Sequence, residues 1–294
     1  MHSSRKRARV LGLKIDVDTY IGMKKGVPRL LSVLDEMRIK GTFFLSIGPD
    51  ASGRAIFQLI KNPRFLKKMI RTKAVSLYGV RTALYGTLLP SPLIAMSFPE
   101  IVRRIIDQGH EVQFHAWDHR RWQDELKDQS VAWIHGWFEK GIHGFERLVG
   151  HVPASFGAPA WMIDDRVMEI IKIKKYHFEY LSCTRAKSPF IHENVGLLEI
   201  PSDLPCFEEV GFARGVSVME TMLKDGDIHV LPVHAEVEGG IGEQHFVKLI
   251  HTARSMDYHI EPLGKIKALL KGEDLTVRKY QMSLLPGRST PCAV

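Results

Sequence analysis

Three short stretches carry residue types able to do chemistry together. Residues 112–119 read Val-Gln-Phe-His-Ala-Trp-Asp-His, a short apolar strand ending in two histidines, His115 and His119, four positions apart. On a helical turn that spacing sets side chains about 5–6 Å apart on one face, workable for two imidazoles sharing a metal ion. Histidine pairs at this spacing also arise by chance, and the chain has 14 histidines. The second stretch, Lys14-Ile15-Asp16-Val17-Asp18-Thr19, shifts the balance. Asp16 and Asp18 fall on one side of a strand end, about 6.6–7 Å apart, so one can bind an ion while the other reaches water beside it. A charge at the end of a buried strand is costly without a partner, which favours a cation there. The third is His234, which ends the run from Ile228 and precedes Ala235-Glu236-Val237-Glu238-Gly239. A histidine opposite a base can protonate a departing amine. Its plainer reading is a core histidine hydrogen-bonded at a strand end.

Two histidines and one carboxylate leave coordination positions open, which marks a catalytic rather than a structural metal site. The donor set suits one divalent ion and accepts zinc, cobalt, manganese or iron. Such an ion acidifies water and polarises a carbonyl. Ala116 stands where a His-Glu-x-x-His protease needs glutamate, so that reading fails. A glycosyltransferase using Asp-x-Asp to hold a nucleotide-sugar metal would leave His115 and His119 without a role.

The elements that must position these residues alternate. Strands are predicted at 9–16, 42–47, 111–115, 154–157, 178–182, 197–200 and 228–233, and helices at 27–38, 129–149, 164–175, 215–223 and 242–256. A further helix, ending at Gln108-Gly109, opens on a Ser97-x-x-Glu100 capping box. This pattern indicates an α/β fold with parallel strands. Asp16, Asp18, His115, His119 and His234 all fall at or just after the C-terminal end of a predicted strand, the face that holds active sites in parallel α/β barrels.

Four segments follow: a basic tail (1–8), one main domain (9–270), an insertion within it (52–98) and a loose tail (271–294) rich in Gly, Ser, Pro and Thr. The formal charge is +8, with Arg64, Lys67, Lys68, Arg71 and Lys73 clustered in the insertion beside an apolar stretch broken by Pro90 and Pro92. A basic amphipathic piece next to an apolar loop suits an anionic membrane surface, and an ordinary lid fits the pattern equally. The basic clusters lack aromatics interleaved for base stacking, so nucleic acid is not an expected partner. Three cysteines without a Cys-x-x-Cys pair argue against a disulfide framework and for an intracellular, reducing setting.

Ile15-Asp16-Val17-Asp18-Thr19, His115-Ala116-Trp117-Asp118-His119 and Val233–Gly239 resemble the motifs of NodB-type polysaccharide deacetylases. The likeness spans about 9–270, including Gly48-Pro49-Asp50 to Arg54, Ser76-Leu77-Tyr78-Gly79 and Ala158-Pro159 with Trp161. It implies a single-domain distorted (β/α)7-type barrel and divalent-metal-dependent hydrolysis of an amide on an amino sugar. By position it makes Asp16 the general base, His234 the general acid, and Asp18, His115 and His119 the metal ligands. Trp117, Trp161, Arg185, Glu236 and Glu238 become candidates for substrate contact. Within the family the likeness is greatest to deformylases of a polyprenyl-phosphate-linked formamido-arabinose. That implies a part in lipid A modification and peptide-antibiotic resistance, at the cytoplasmic face of the inner membrane. The alternatives are a deacetylase of a lipid-linked N-acetylhexosamine and a non-catalytic binder of polyprenyl-phosphate sugars. Many members carry an arginine just before the third-motif proline to orient the base. Here that segment is Phe156-Gly157-Ala158-Pro159, which leaves Arg185 and Arg166 as available substitutes. Where an aspartate is common near the fourth motif, this chain reads Ser182-Cys183-Thr184-Arg185.

Overall fold

Strand β1 (Arg9–Val17) is buried along all but its first residue, and the two-residue period of a strand divides its side chains between two environments. Leu11, Leu13, Ile15 and Val17 join the larger apolar core. Val10 joins a smaller one with Phe44, Val230, Leu263 and Ile266, and Gly12, Lys14 and Asp16 share its side of the strand. That second side is the inside of a curled sheet. The computed structural model describes residues 8–54, 85–87, 89–174 and 176–294 of the chain.

Parallel pairing builds outward from β1. On one edge lies β8 (Ile228–His234), in a register that sets Asp16 directly beside His234. On the other edge, the first half of β1 pairs with β9 (Tyr258–Glu261) and the second half with β2 (Thr42–Ser46). Next come β3 (Glu111–Ala116), β4 (Ser155–Phe156), β5 (Tyr180–Leu181) and β7 (Leu198–Glu199), all parallel. The antiparallel β6 (Phe190–His192) and then β10 (Val277–Arg278) complete the far edge. The order β10-β6-β7-β5-β4-β3-β2-β1-β8 leaves the sheet open between its end strands, so the single domain is a distorted, incompletely closed α/β barrel.

Helices α1 (Val27–Glu36), α2 (Pro99–Asp107), α3 (His119–Glu125), α4 (Val131–Val149) and α5 (Asp165–Lys174) cover the outside of the first half. Helix α4 starts at a Ser130 cap, where the hydroxyl accepts from Trp133 N, and stops at Gly150 with φ of 92°. The second half is covered by α6 (Phe207–Val210), α7 (Phe212–Met222), α8 (Ala235–Glu238) and α9 (Glu243–Ser255), while α10 (Leu263–Leu269) closes the barrel floor. There Glu111 accepts from Thr42 Oγ1, Gln113 Nε2, Tyr180 OH and Gly264 N. Among the described residues, no helix is long and apolar enough to cross a membrane.

Two expectations differ from the structure. Ser97 is not a cap: its hydroxyl donates to Leu93 O, and Phe98 precedes the helix without a side-chain cap bond. Pro99 at the first helical position lacks an N–H, which removes one of the donors a cap would serve. Nor is 271–294 a loose tail. β11 (Met282–Ser283) pairs with β12 (Cys292–Ala293), and Cys292 packs with Trp161 and Cys206. Arg185 N donates to Ala293 O at 2.7 Å, docking the segment on the barrel. Strands of two residues leave no periodic signal, which is why composition alone reads as loose.

Candidate metal centre with flanking acid and base

Asp18 lies one residue past β1, His115 near the end of β3, and His119 at the first turn of α3. His115 and His119 therefore do not share a helical face, as their spacing predicts; a strand-to-helix turn brings them together. The β2–β3 register slips here, with Phe114 opposite Leu45 but Ala116 opposite Ser46, so His115 is the extra residue of a bulge. Val112, Phe114 and Ala116 all stay in the outer core, so ordinary strand alternation turns the imidazole between the last two inward. Trp122, fully buried with its ring 4.2 Å from that of Trp137 and its indole N–H on Met162 O, anchors α3 one turn beyond His119.

His115 Nε2 lies 3.0 Å from Asp18 Oδ1, and His119 Nε2 lies 3.4 Å from Asp18 Oδ2. One donor atom from each residue falls within 4.8 Å of the others. Whether a cation fits can be read from the protons. His115 Nδ1 sits 2.7 Å from Gly157 O, so the ring's proton belongs there and Nε2 presents a lone pair. That lone pair faces a carboxylate oxygen, and among the described residues neither His115 Nε2 nor Asp18 Oδ1 has a hydrogen-bond partner. Two buried acceptors in contact need positive charge between them. Burial pushes His119 down to about 4, leaving a neutral imidazole near pH 7. Burial also works to raise Asp18, but His119, His115 and His234 outweigh it and hold the carboxylate well below its usual range. These residues fit a divalent ion.

Two glycines let the surrounding loops close. A Cβ on Gly48 would stand 2.2 Å from Trp117 O, and one on Gly26 would stand 2.0 Å from Ala235 O. Asp50, the residue after the Gly48-Pro49 pair, accepts from Tyr20 N at 2.7 Å and pins the loop that carries Asp18. Asp118, between the histidines, caps α3 by accepting from Arg121 N.

Asp16 and His234 flank the centre. Lys14 Nζ contacts both Asp16 carboxylate oxygens inside the barrel. Neither expected substitute does so: Arg166 pairs with Asp164, and Arg185 pairs with Glu209. His234 Nδ1 lies 3.0 Å from Glu208 Oε1, and its Nε2 lies 4.0 Å from Asp18 Oδ2. Burial alone would lower this imidazole; Glu208 first, then Asp18 and Glu238, overturn that and hold it well above its ordinary value. His234 therefore carries a proton to give. Cys206, Glu208 and His234 form a second cluster with metal-ligand spacing, but burial pushes the Cys206 thiol well up and keeps it from the thiolate form that binds metal.

The other residues singled out by sequence fall in varied places. Trp161 walls the site, its ring 6.3 Å from that of His234. Trp117 lines a separate cavity of about 250 Å³ with Arg121, Trp133 and Lys140. Arg185 stacks on Trp161 and spends its guanidinium on Glu209 and the carbonyls of Ser202 and Leu204. Glu238 accepts from His234 N, while buried Glu236 keeps Oε2 without a partner. Arg64, Lys67, Lys68, Arg71 and Lys73 lie outside the described residues, as does most of the insertion. Sequence reasoning misses Lys14, whose signal is its inward strand parity with Asp16. It also misses Glu208, which sits on a four-residue helix with no pattern to announce it.

The profile of the Polysaccharide deacetylase family matches residues 4–178. A Shewanella sediminis protein named probable 4-deoxy-4-formamido-L-arabinose-phosphoundecaprenol deformylase ArnD is 34% identical over 279 residues, 92% of this chain and 89% of its own. Among solved structures, one from Mycobacterium smegmatis assigned to the polysaccharide deacetylases superposes with a TM-score of 0.66 at 19% identity, covering 96% of this chain and 97% of that one. A Bacillus anthracis protein described as a CE4 family pseudoenzyme superposes with a TM-score of 0.51 at 15% identity, covering 88% and 65%. The fold thus accommodates a pseudoenzyme as well, and its side chains must be judged separately.

Proposed function

The chain belongs to the polysaccharide deacetylase family, a class of carbon–nitrogen amide hydrolases, and from that premise we propose that it deformylates undecaprenyl-phosphate-linked 4-deoxy-4-formamido-L-arabinose. The observation that carries this reading is the meeting of Asp18, His115 and His119 around space for one cation, with Asp16 and His234 next to it at paired positions of β1 and β8. The relative's name supplies the substrate, and likeness over nearly the whole of both chains supports its transfer.

Asp18, His115 and His119 would hold the ion. A bound divalent cation supplies Lewis acidity toward the scissile carbonyl and acidifies water in the cleft. Asp16 is the base, taking the proton of the attacking water. His234, charged through its contact with Glu208, delivers a proton to the sugar nitrogen as the carbon–nitrogen bond breaks. The products are formate and a lipid-linked amino sugar. Trp161 shuts one wall against solvent and is itself held by Arg185 and Arg288, whose guanidinium carbons lie 4.7 and 5.1 Å from its ring.

The substrate's lipid anchor places the reaction at a membrane. We assign the protein to the cytoplasmic face of the inner membrane as a peripheral enzyme of lipid A modification and cationic-peptide resistance. The sequence cluster Arg64, Lys67, Lys68, Arg71 and Lys73 supports this, since each cation near an anionic surface is worth about 1 kcal/mol. Mass spectrometry of purified protein on formylated and acetylated lipid-linked sugars, with chelator and with metal restored, tests the proposal. Metal-dependent loss of formyl is the expected result. Preferential loss of acetyl would instead identify an N-acetylhexosamine substrate, and a methyl group gives only about 1–3 kcal/mol of discrimination either way.

A further inference from the structure

Lys14 is fully buried, and Asp16 is 3% exposed. A lysine so placed is expensive, and a buried ion pair generally stabilises a fold no better than two well-packed apolar residues. The neighbouring inward positions of the sheet show that apolar residues suit this location, for Val10, Phe44 and Val230 pack there. The surroundings are nevertheless shaped to the ammonium. Its Nζ lies 4.8 Å from the centre of the Phe44 ring and 5.5 Å from that of Trp161. Gly157 leaves the slot open: a Cβ there would come 3.2 Å from Lys14 Cε and 2.7 Å from Phe44 Cδ1. The carbonyl of the same glycine receives His115 Nδ1, so one backbone position serves both the lysine and a metal-ligand candidate. Among the described residues, Asp16 is the one hydrogen-bond partner of Lys14, and both carboxylate oxygens are engaged. Lys14 and Asp16 are two apart on β1, hence on one face, and the rigid strand rather than a loop fixes their separation.

We propose that Lys14 is a positioning residue for the amide hydrolysis, its ammonium clamping the Asp16 carboxylate in the orientation from which it takes a proton. This rests on the activity proposed above. The lysine touches neither substrate nor cation and acts through Asp16 alone. Its loss therefore falls on the chemical step and leaves substrate binding and metal affinity in place.

The test compares wild type with Lys14→Met, which is one atom shorter, keeps the unbranched apolar stem and discards the charge. Turnover is followed on whichever amide the wild type cleaves, with metal affinity measured by titration. The expected result is a fall in kcat of about 100-fold, with KM and metal affinity within about 3-fold of wild type. Should Lys14→Met fail to fold, Lys14→Gln, whose amide still donates one hydrogen bond to Asp16, carries the same comparison with an expected loss of about 10-fold or more. A kcat within about 3-fold of wild type, or a metal affinity or KM that worsens in step with kcat, would overturn the assignment. The two readings separate cleanly. A wild type that cleaves neither formyl nor acetyl amides sinks the activity and this role with it, whereas an active wild type beside an equally active variant sinks the role of Lys14 alone.

Discussion

Two clusters of polar groups, one beside Trp161 and one at the metal centre, are built to opposite plans. Beside Trp161, Glu209 accepts two bonds from Arg185 Nη1, at 2.9 and 3.0 Å, one from Arg288 at 3.0 Å and one from Cys206 N at 3.1 Å. Arg185 turns its remaining contacts to the carbonyls of Ser202 and Leu204. Donor meets acceptor at each of these contacts. Burial works to raise Glu209, and Arg185 with Arg288 reverses that to hold it below its usual value. At the metal centre, Asp18 and His115 present acceptor to acceptor. Opposite pairing separates scaffold from site: the first cluster neutralises its carboxylate as folded, and the second turns acceptors toward one another in a way that fits a cation.

The contrast is most directly broken by mutation on each side. His115→Ala should cost at least about 100-fold in metal affinity, read by equilibrium titration against a chelator, and abolish turnover. Asp16→Asn should lower kcat by about 10³–10⁴-fold while metal still binds. If both variants kept the ion equally well, His115 would not be a ligand. Glu209→Ala leaves two buried guanidinium groups unpaired and should cost about 3–5 kcal/mol in denaturant unfolding. Metal affinity of the folded fraction should be unchanged; a parallel loss would mean the clusters are one unit.

Glu199 sharpens the comparison because it is half of each plan. Its Oε1 accepts from Cys183 N and Thr184 N, while Oε2, 3.8 Å from His192 Nε2, has no hydrogen-bond partner among the described residues. Burial is the main cause that raises it to about 7, against an ordinary 4.5. The native state holds this proton more tightly than the unfolded chain. Its contribution is therefore fully present below pH 4.5 and lost as pH rises through about 7, a change of about 3 kcal/mol. Glu199→Gln keeps the acceptor and should flatten that part of the stability profile; a profile parallel to the parent's would refute the assignment. The smallest effect expected is ligand-induced. A divalent cation at 100 times its Kd should stabilise the metal-free protein by about 2.7 kcal/mol in thermal melts, and His115→Ala should show no such gain.

Much of this is legible in the order of residues alone. Long strands with strong apolar character, β1, β3 and β8, show themselves nearly to their ends, and with them the residues that follow. The His115 and His119 pair is visible through the wrong geometry, because the change from strand to helix between them leaves no mark in residue spacing. Lys14 gives little warning, since lysines are seldom buried, and its pairing with Asp16 is what draws it inside. Glu208, Asp50 and the closing strands β11 and β12 belong to segments too short for periodicity. They are placed by contacts with sequence-distant residues, which only the folded chain discloses.

The docked C-terminal segment makes residues 289–294 masonry of the reaction chamber. Cys292 backs the indole that walls His234, and Ala293 O ties down the arginine stacked on that indole. Deleting these residues would strip the backing from the indole and open the His234 side of the chamber to bulk water.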